Sequence, residues 1–190
     1  TTNEVAMRHL MLDIETFGTT PGCVVLSIGA VEFNMQGVTG TFHAHLKTAP
    51  QINAGLHLDV RTVEWWLDQS KEAQNELLKS ERFDPSDVID AFIDTFEWKD
   101  TRVWANGASF DFPIMKALFN AYNKELPWAF YNEMDFRTMK NLVNKETYER
   151  LRVRPVLAHD ALDDATAQAQ TLINIIKWIN GEGNELRLAA

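Results

Sequence analysis

A chain of 190 residues with 45% hydrophobic and 24% charged side chains has the composition of an ordinary globular protein with a sizeable core, and is expected to fold as one domain over 1–190. Its 18 basic and 27 acidic residues give a net charge of −9, which argues against binding polyanions through bulk charge alone, although acids gathered around metal ions attract phosphate once the ions are bound. The single cysteine, Cys23, excludes an internal disulfide framework and a cysteine-rich zinc site and fits a reducing cytoplasm; with no apolar leader and no run near ~18 apolar residues, a soluble protein without a membrane partner is expected.

Residues 1–7 read as a short lead. Arg8 to Phe17, RHLMLDIETF, reads as a strand. Alternation puts His9, Met11, Asp13 and Glu15 on one face and Leu10, Leu12 and Ile14 on the other, which is expected to pack on the core. Two carboxylates held side by side repel unless a cation sits between them, so Asp13 and Glu15 suggest a site for a hard divalent metal such as Mg2+ or Mn2+. A strand end with two solvated acids would carry the same residues. GTTPG over Gly18 to Gly22 breaks the pattern, Val24 to Asn34 is β-rich, and after Gly37 and Gly40 a third β-like run covers Thr41 to Lys47. These runs predict a three-strand antiparallel meander.

From Asp59 the period becomes helical, with Val63, Trp66 and Leu67 on one stripe, a second helix over Lys71 to Lys79, and a third opened by Pro85 with Val88, Ala91, Phe92 and Phe96 as its buried face. Adjacent Trp65 and Trp66 cannot both point inward, so Trp65 is a candidate for base stacking. Arg102 to Gly107 is β-like and leads into a helix with Pro113 in its first turn, running to about Lys124. A short β segment from Trp128 to Met134 precedes Asp135, the expected N-cap of a helix over FRTMKNLVNKE. The last helix is expected over Leu162 to Ile179, with Ala165, Ala169, Leu172, Ile173, Ile176 and Ile179 on one side. Strands followed by strands alternating with helices predict an α/β sheet of mixed direction.

Three further residues join the two acids. Asp111 sits where a β-like segment gives way to a helix; strand ends of open α/β sheets hold ligands, and a helix N-cap there would also be an aspartate. HDALDDA places His159 in the loop before the last helix and Asp164 in its first turns, where Asp163 and Asp164 would also complement the helix dipole. The order Asp-x-Glu-Thr, Asn…Asp, His-x4-Asp resembles the DEDDh branch of 3′-to-5′ exonucleases, the family of proofreading subunits, RNase T and oligoribonuclease, from Leu10 to about Ile176.

The resemblance implies an RNase H-like mixed five-stranded sheet, a three-strand antiparallel meander plus parallel strands, flanked by helices. It implies that Asp13, Glu15, Asp111 and Asp164 hold two divalent metal ions, Mg2+ or Mn2+, which serve both ends of an in-line phosphodiester displacement. His159 would be the general base, an imidazole being suited to that role near neutral pH. Glu15, Thr16 and Phe17 would meet the 3′-terminal nucleotide, and Asn106 would shape the turn before Asp111, although it lies five residues ahead rather than the common four. The Asn-Gly-Ala-Ser-Phe-Asp form resembles small phage and bacterial 3′-to-5′ exoribonucleases, which favours RNA as substrate. The expected partners are 3′ ends of single-stranded RNA or DNA, with Arg150, Arg152, Arg154, Arg137, Lys140 and Lys145 as candidate phosphate guides. A DNA exonuclease, a non-catalytic binding module and an RNase H-like endonuclease with a similar acid set are the alternatives. By analogy with the family, a homodimer is expected.

Overall fold

The alternating stretch forms strand β1, His9–Thr16, in the computed structural model, which describes residues 7–77 and 81–182. Strands β2, Val25–Asn34, and β3, Gly37–His45, return beside it as the expected meander. β3 starts earlier than Thr41 because the Asn34 side-chain oxygen accepts from the N–H groups of Gln36 and Gly37, at 2.8 and 3.2 Å, and closes a tight turn over Met35 and Gln36. Gly40 therefore lies within the strand, opposite Glu32 and beside a bulge.

Four helices follow: α1, Thr48–Asn53, α2, Val60–Leu67, α3, Lys71–Leu77, and α4, Pro85–Thr95. Helix α1 was not expected; its buried Gln51 bonds both the N–H and the C=O of Val25, at 2.9 and 2.7 Å, and so anchors it to β2. The expected end of α3 near Lys79 lies outside the described residues. Strand β4, Arg102–Ala105, pairs parallel to β1, helix α5 spans Ala108–Ala121, and strand β5, Glu133–Asp135, pairs parallel to β4 after a 3-10 turn over Phe130–Asn132. Helices α6, Phe136–Asn141, α7, Lys145–Leu151, and α8, Ala161–Ile179, complete the described chain. The single helix expected over FRTMKNLVNKE is two, because the Asn144 side chain accepts from the Thr147 N–H at 2.9 Å and starts a new helix. The sheet order is β3-β2-β1-β4-β5, the expected mixed five-stranded arrangement.

Both faces of β1 are covered, which corrects the expectation of a single core face. Leu10, Leu12 and Ile14 pack with Phe92, Phe119 and Trp128 on the side of α4 and α5; Met11 packs with Phe136, Leu151 and Leu172 on the side of α6, α7 and α8. His9 shares the second face as a neutral acceptor: the Trp104 indole donates to its Nδ1 at 3.0 Å, and burial, then the charge of Arg102, lowers its pKa to about 4. The helical stripes differ in detail. Leu67, Ala91 and Ile179 are exposed, while Ile89 and Ile175 are buried. Pro113 lies in the second turn of α5 rather than the first. Among the described residues, no helix is long and apolar enough to cross a membrane.

α8 lies against β1, β2 and β3, and one residue permits it. Gly29 faces Asp13 across the β1–β2 ladder, and a Cβ there would overlap the backbone of Ala161 and Leu162. Only a hydrogen at that position lets the first turn of α8 rest on the sheet. Gly29→Ala is expected to lower stability by about 1–3 kcal/mol, the usual range for overpacking, as read by urea denaturation; an unchanged midpoint would refute the steric account.

Candidate active site

Alternation along β1 carries Asp13 and Glu15 toward α8. Asp13 Oδ1 accepts from the Gln168 side-chain amide at 2.8 Å. Glu15, His159 and Asp164 each bring a donor atom within 4.8 Å of the others. Asp111, only 4% exposed, arrives from the first turn of α5, whose N-cap is Gly107 at φ 116°, so the aspartate is not a cap. The β1–β4 ladder ends at Leu12 and Ala105, and beyond it the Asp111 carboxylate takes the backbone N–H of Ile14.

The loop before α8 is folded by its own acids. Asp163 Oδ2 accepts from the Leu157 N–H, Asp160 Oδ1 from the Asp163 N–H, and Asp164 Oδ2 from the His159 N–H, each at 2.9 Å. Asp160 is thus the N-cap of α8. His159 is held in the left-handed region at φ 64°, with its ring edge-on to Trp65 and Trp66 at centroid distances of 5.2 and 5.9 Å. The two tryptophans part as expected: Trp66 is buried with its indole N–H on the Thr16 carbonyl at 2.9 Å, and Trp65 is 44% exposed.

Beside Glu15 opens a cleft of about 460 Å³, walled by Ile14, Thr16, Arg61, Trp65, Trp66 and Phe110. Phe17 packs, partly buried, on the first core, and Phe110 stands on the cleft wall. The Asn106 carbonyl accepts from the Arg137 guanidinium at 2.9 Å, and its buried Oδ1 has no hydrogen-bond partner. Asp135 caps α6 as expected and also accepts from the N–H groups of Gly107 and Ala108, both at 3.1 Å, so it fixes the turn that aims Asp111. Gln168, Phe110, the bond from Trp66 to Thr16 and this second role of Asp135 went unread in the sequence. Gln168 was within reach, because it lies four residues past Asp164 and so on the same helix face.

Gathering these acids opposes their ionisation. Burial, then the charges of Asp111, Glu15 and Asp164, push Asp13 well above the usual carboxylate range, against the Gln168 bond. Burial, then Asp164, Asp111 and Asp160, push Glu15 up to about 8. Burial pushes Asp111 up to about 7, against its two backbone bonds and the charge of Arg137. Burial also raises Asp164, against the bond from the His159 N–H. Carboxylate oxygens in such repulsion are the donors a hard divalent cation takes, so the residues fit that group.

A family model described as the 3′-5′ exoribonuclease Rv2179c-like domain matches residues 8–176. The chain belongs to this family. The exodeoxyribonuclease of Enterobacteria phage T4 is 28% identical to this chain, with 70% of each chain covered. Among solved structures, the nuclease domain of 3′hExo, a DEDDh family member bound to rAMP, superposes with a TM-score of 0.59 at 14% identity, covering 96% of each chain. E. coli exonuclease I in complex with a dA16 oligonucleotide gives 0.65 at 15% identity, over 92% of this chain and 42% of that one. The chain therefore spans less than half of exonuclease I. At these identities the structures speak for the fold, which is the RNase H-like fold of DEDDh nucleases. Membership of the exonuclease family implies divalent metal ions, and the cluster of Glu15, His159 and Asp164 offers donors for one.

With Glu15 near 8 and Asp111 near 7, the folded state binds more protons than the unfolded state from about pH 4 upward, and the excess ends above about pH 8. Metal-free stability is therefore greatest below that window and falls as pH rises through it. The melting temperature without metal is expected to drop between about pH 5 and about pH 8, and Mn2+ to raise it more at the higher pH; Asp13→Asn with Glu15→Gln should flatten both trends. Gln168→Leu is expected to weaken Mn2+ binding about tenfold by calorimetry. Unchanged affinity would mean Asp13 is oriented without the amide.

Proposed function

We propose that the chain is a metal-dependent 3′-to-5′ exonuclease that removes nucleotides from single-stranded 3′ ends or 3′ overhangs, with RNA favoured. The observation that carries this is the position of Glu15, which belongs both to the donor cluster with His159 and Asp164 and to the wall of the open cleft. A group bound in that cleft would place its phosphate beside the acids. Asp13, Glu15, Asp111 and Asp164 would hold two divalent ions, Mg2+ or Mn2+, whose charge favours attack of water on the phosphodiester and departure of the 3′-oxygen.

The chain's own residues supply the rest. His159, edge-on to the two tryptophans and next to Asp164, would accept the proton of the attacking water. The 3′-terminal base would lie against Trp65 and Phe110, with Glu15 and Thr16 at its sugar. Buried Ile14 and Trp66 contribute apolar surface to the same cleft. RNA is favoured by the family's description as exoribonucleases. DNA is the second reading, supported by the phage T4 relative, an exodeoxyribonuclease.

The test is a time course on matched 5′-labelled single strands of RNA and DNA with Mg2+ or Mn2+, an EDTA control and His159→Ala. The expected result is a metal-dependent ladder shortening from the 3′ end, slowed about 10²- to 10⁴-fold in the variant, with Mn2+ affinity kept. A variant that loses Mn2+ binding would make His159 a ligand instead of a base. No ladder on either strand would overturn the proposal.

A further inference from the structure

Arg137, Lys140, Lys145, Arg150, Arg152 and Arg154 are six of the 18 basic residues of a chain whose net charge is −9. The fold gathers three of them from two helices. Arg137 and Lys140 lie one turn apart on α6, and the Lys140 ammonium stands 5.4 Å from the Phe136 ring centroid and 6.0 Å from that of Tyr148 on α7. Arg152 caps α7, its N–H on the Tyr148 carbonyl at 2.9 Å and its guanidinium held by Glu149 at 3.0 Å, with Arg154 on the other Glu149 oxygen at 3.6 Å.

The cluster starts at the acids. The Arg137 guanidinium bonds the Asn106 carbonyl in the turn before α5, and its charge acts on Asp111. A Cβ on Gly107 would lie 2.8 Å from Arg137 Nη2, so the bare glycine lets the guanidinium rest on that turn. From Arg137 the positive charge leads away along α6 to Lys140 and across to Arg152. The aromatic cleft is lined instead by residues of α2 and the end of β1, with Phe110 from the start of α5.

We propose that Arg137, Lys140 and Arg152, with the Tyr148 ring among them, bind the phosphodiester backbone of the strand upstream of the scissile bond. This rests on the exonuclease reading and adds a direction to it: the 3′ nucleotide enters the cleft and the rest of the strand leaves over α6 and α7. Cations spaced around an aromatic ring suit the phosphates and bases of a single strand. Half-buried Lys140 is disfavoured as a cation by burial first and then by the charge of Arg137, with Asp135 opposing and Arg152 adding to it; bound phosphates would offset that cost.

The probe is a fluorescein-labelled phosphorothioate oligonucleotide about 12 nucleotides long, bound to His159→Ala protein with Mn2+ and followed by anisotropy across a salt series. Lys140→Met with Arg152→Met is expected to raise Kd about tenfold and to reduce the slope of log K against log salt by about 1.4, two contacts at about 0.7 each. Lys140→Arg with Arg152→Lys should keep the parental slope, and exposed Arg137→Met should lower it by about 0.7 without touching the half-buried pair. Lys99→Met with Lys116→Met, the same loss of charge at exposed positions elsewhere, is the control. Slopes for the cluster variants equal to that of the control would overturn the inference. Failure of the exonuclease reading is separate: it would appear as no 3′ ladder from the unsubstituted protein, whatever the slopes.

Discussion

The structure depends on the seating of α8 against the sheet at Gly29. That residue faces Asp13 across the ladder, and the backbone of Ala161 and Leu162 occupies the space a side chain would need. Seated there, α8 delivers Asp164 and Gln168 to the acids of β1, and the loop before it delivers His159. The second core follows from the same contact, since Ala165, Ala169, Leu172 and Ile173 extend that face of the helix over Met11 and Val31. Small residues near the start and larger ones farther along suit a helix that approaches closely at one end.

That approach stabilises the packing and destabilises the charges. Asp13, Glu15, Asp111 and Asp164 all have their ionised forms disfavoured, with burial the first cause in each. The compensations are local and specific: an amide for Asp13, two backbone N–H groups for Asp111 and one for Asp164. Glu15 has the least support of this kind, and it borders the cleft. Cores on both faces of β1 carry the fold while its end holds a group of acids that is stable as a set only with a cation or with protons. A local conflict between stability and charge is what a functional site in a well-packed fold looks like.

The surroundings of the acids are polarised. Trp65, Trp66 and Phe110 give an aromatic cleft, and Arg137 lies on the turn that aims Asp111, with Lys140 and Arg152 near it. A chain of net charge −9 thereby gathers positive charge close to its buried acids. Asp135 links the two halves of this arrangement, since it holds the Gly107–Ala108 turn and begins the helix that carries Arg137 and Lys140.

Much of this was legible in the order of residues. Alternation alone put Asp13 and Glu15 on one face, apolar runs and turn residues drew the meander, and the spacing of Ala165, Ala169, Leu172 and Ile173 drew the last helix. These are local effects, fixed by strand and helix periods over a few residues. What sequence left open is what the chain decides at long range. Asp13 and Gln168 are 155 positions apart and Trp66 and Thr16 are 50 apart, and no period connects them. The start of β3 went astray because an asparagine side chain closed the turn early, and FRTMKNLVNKE divided because Asn144 offered a cap inside an otherwise helical run. Sequence by itself determined which residues carry the acids and the imidazole, because chemistry resides in side chains. Tertiary structure decided which neighbours orient them and which walls surround them, because packing on both faces of one sheet brings distant segments within hydrogen-bond reach.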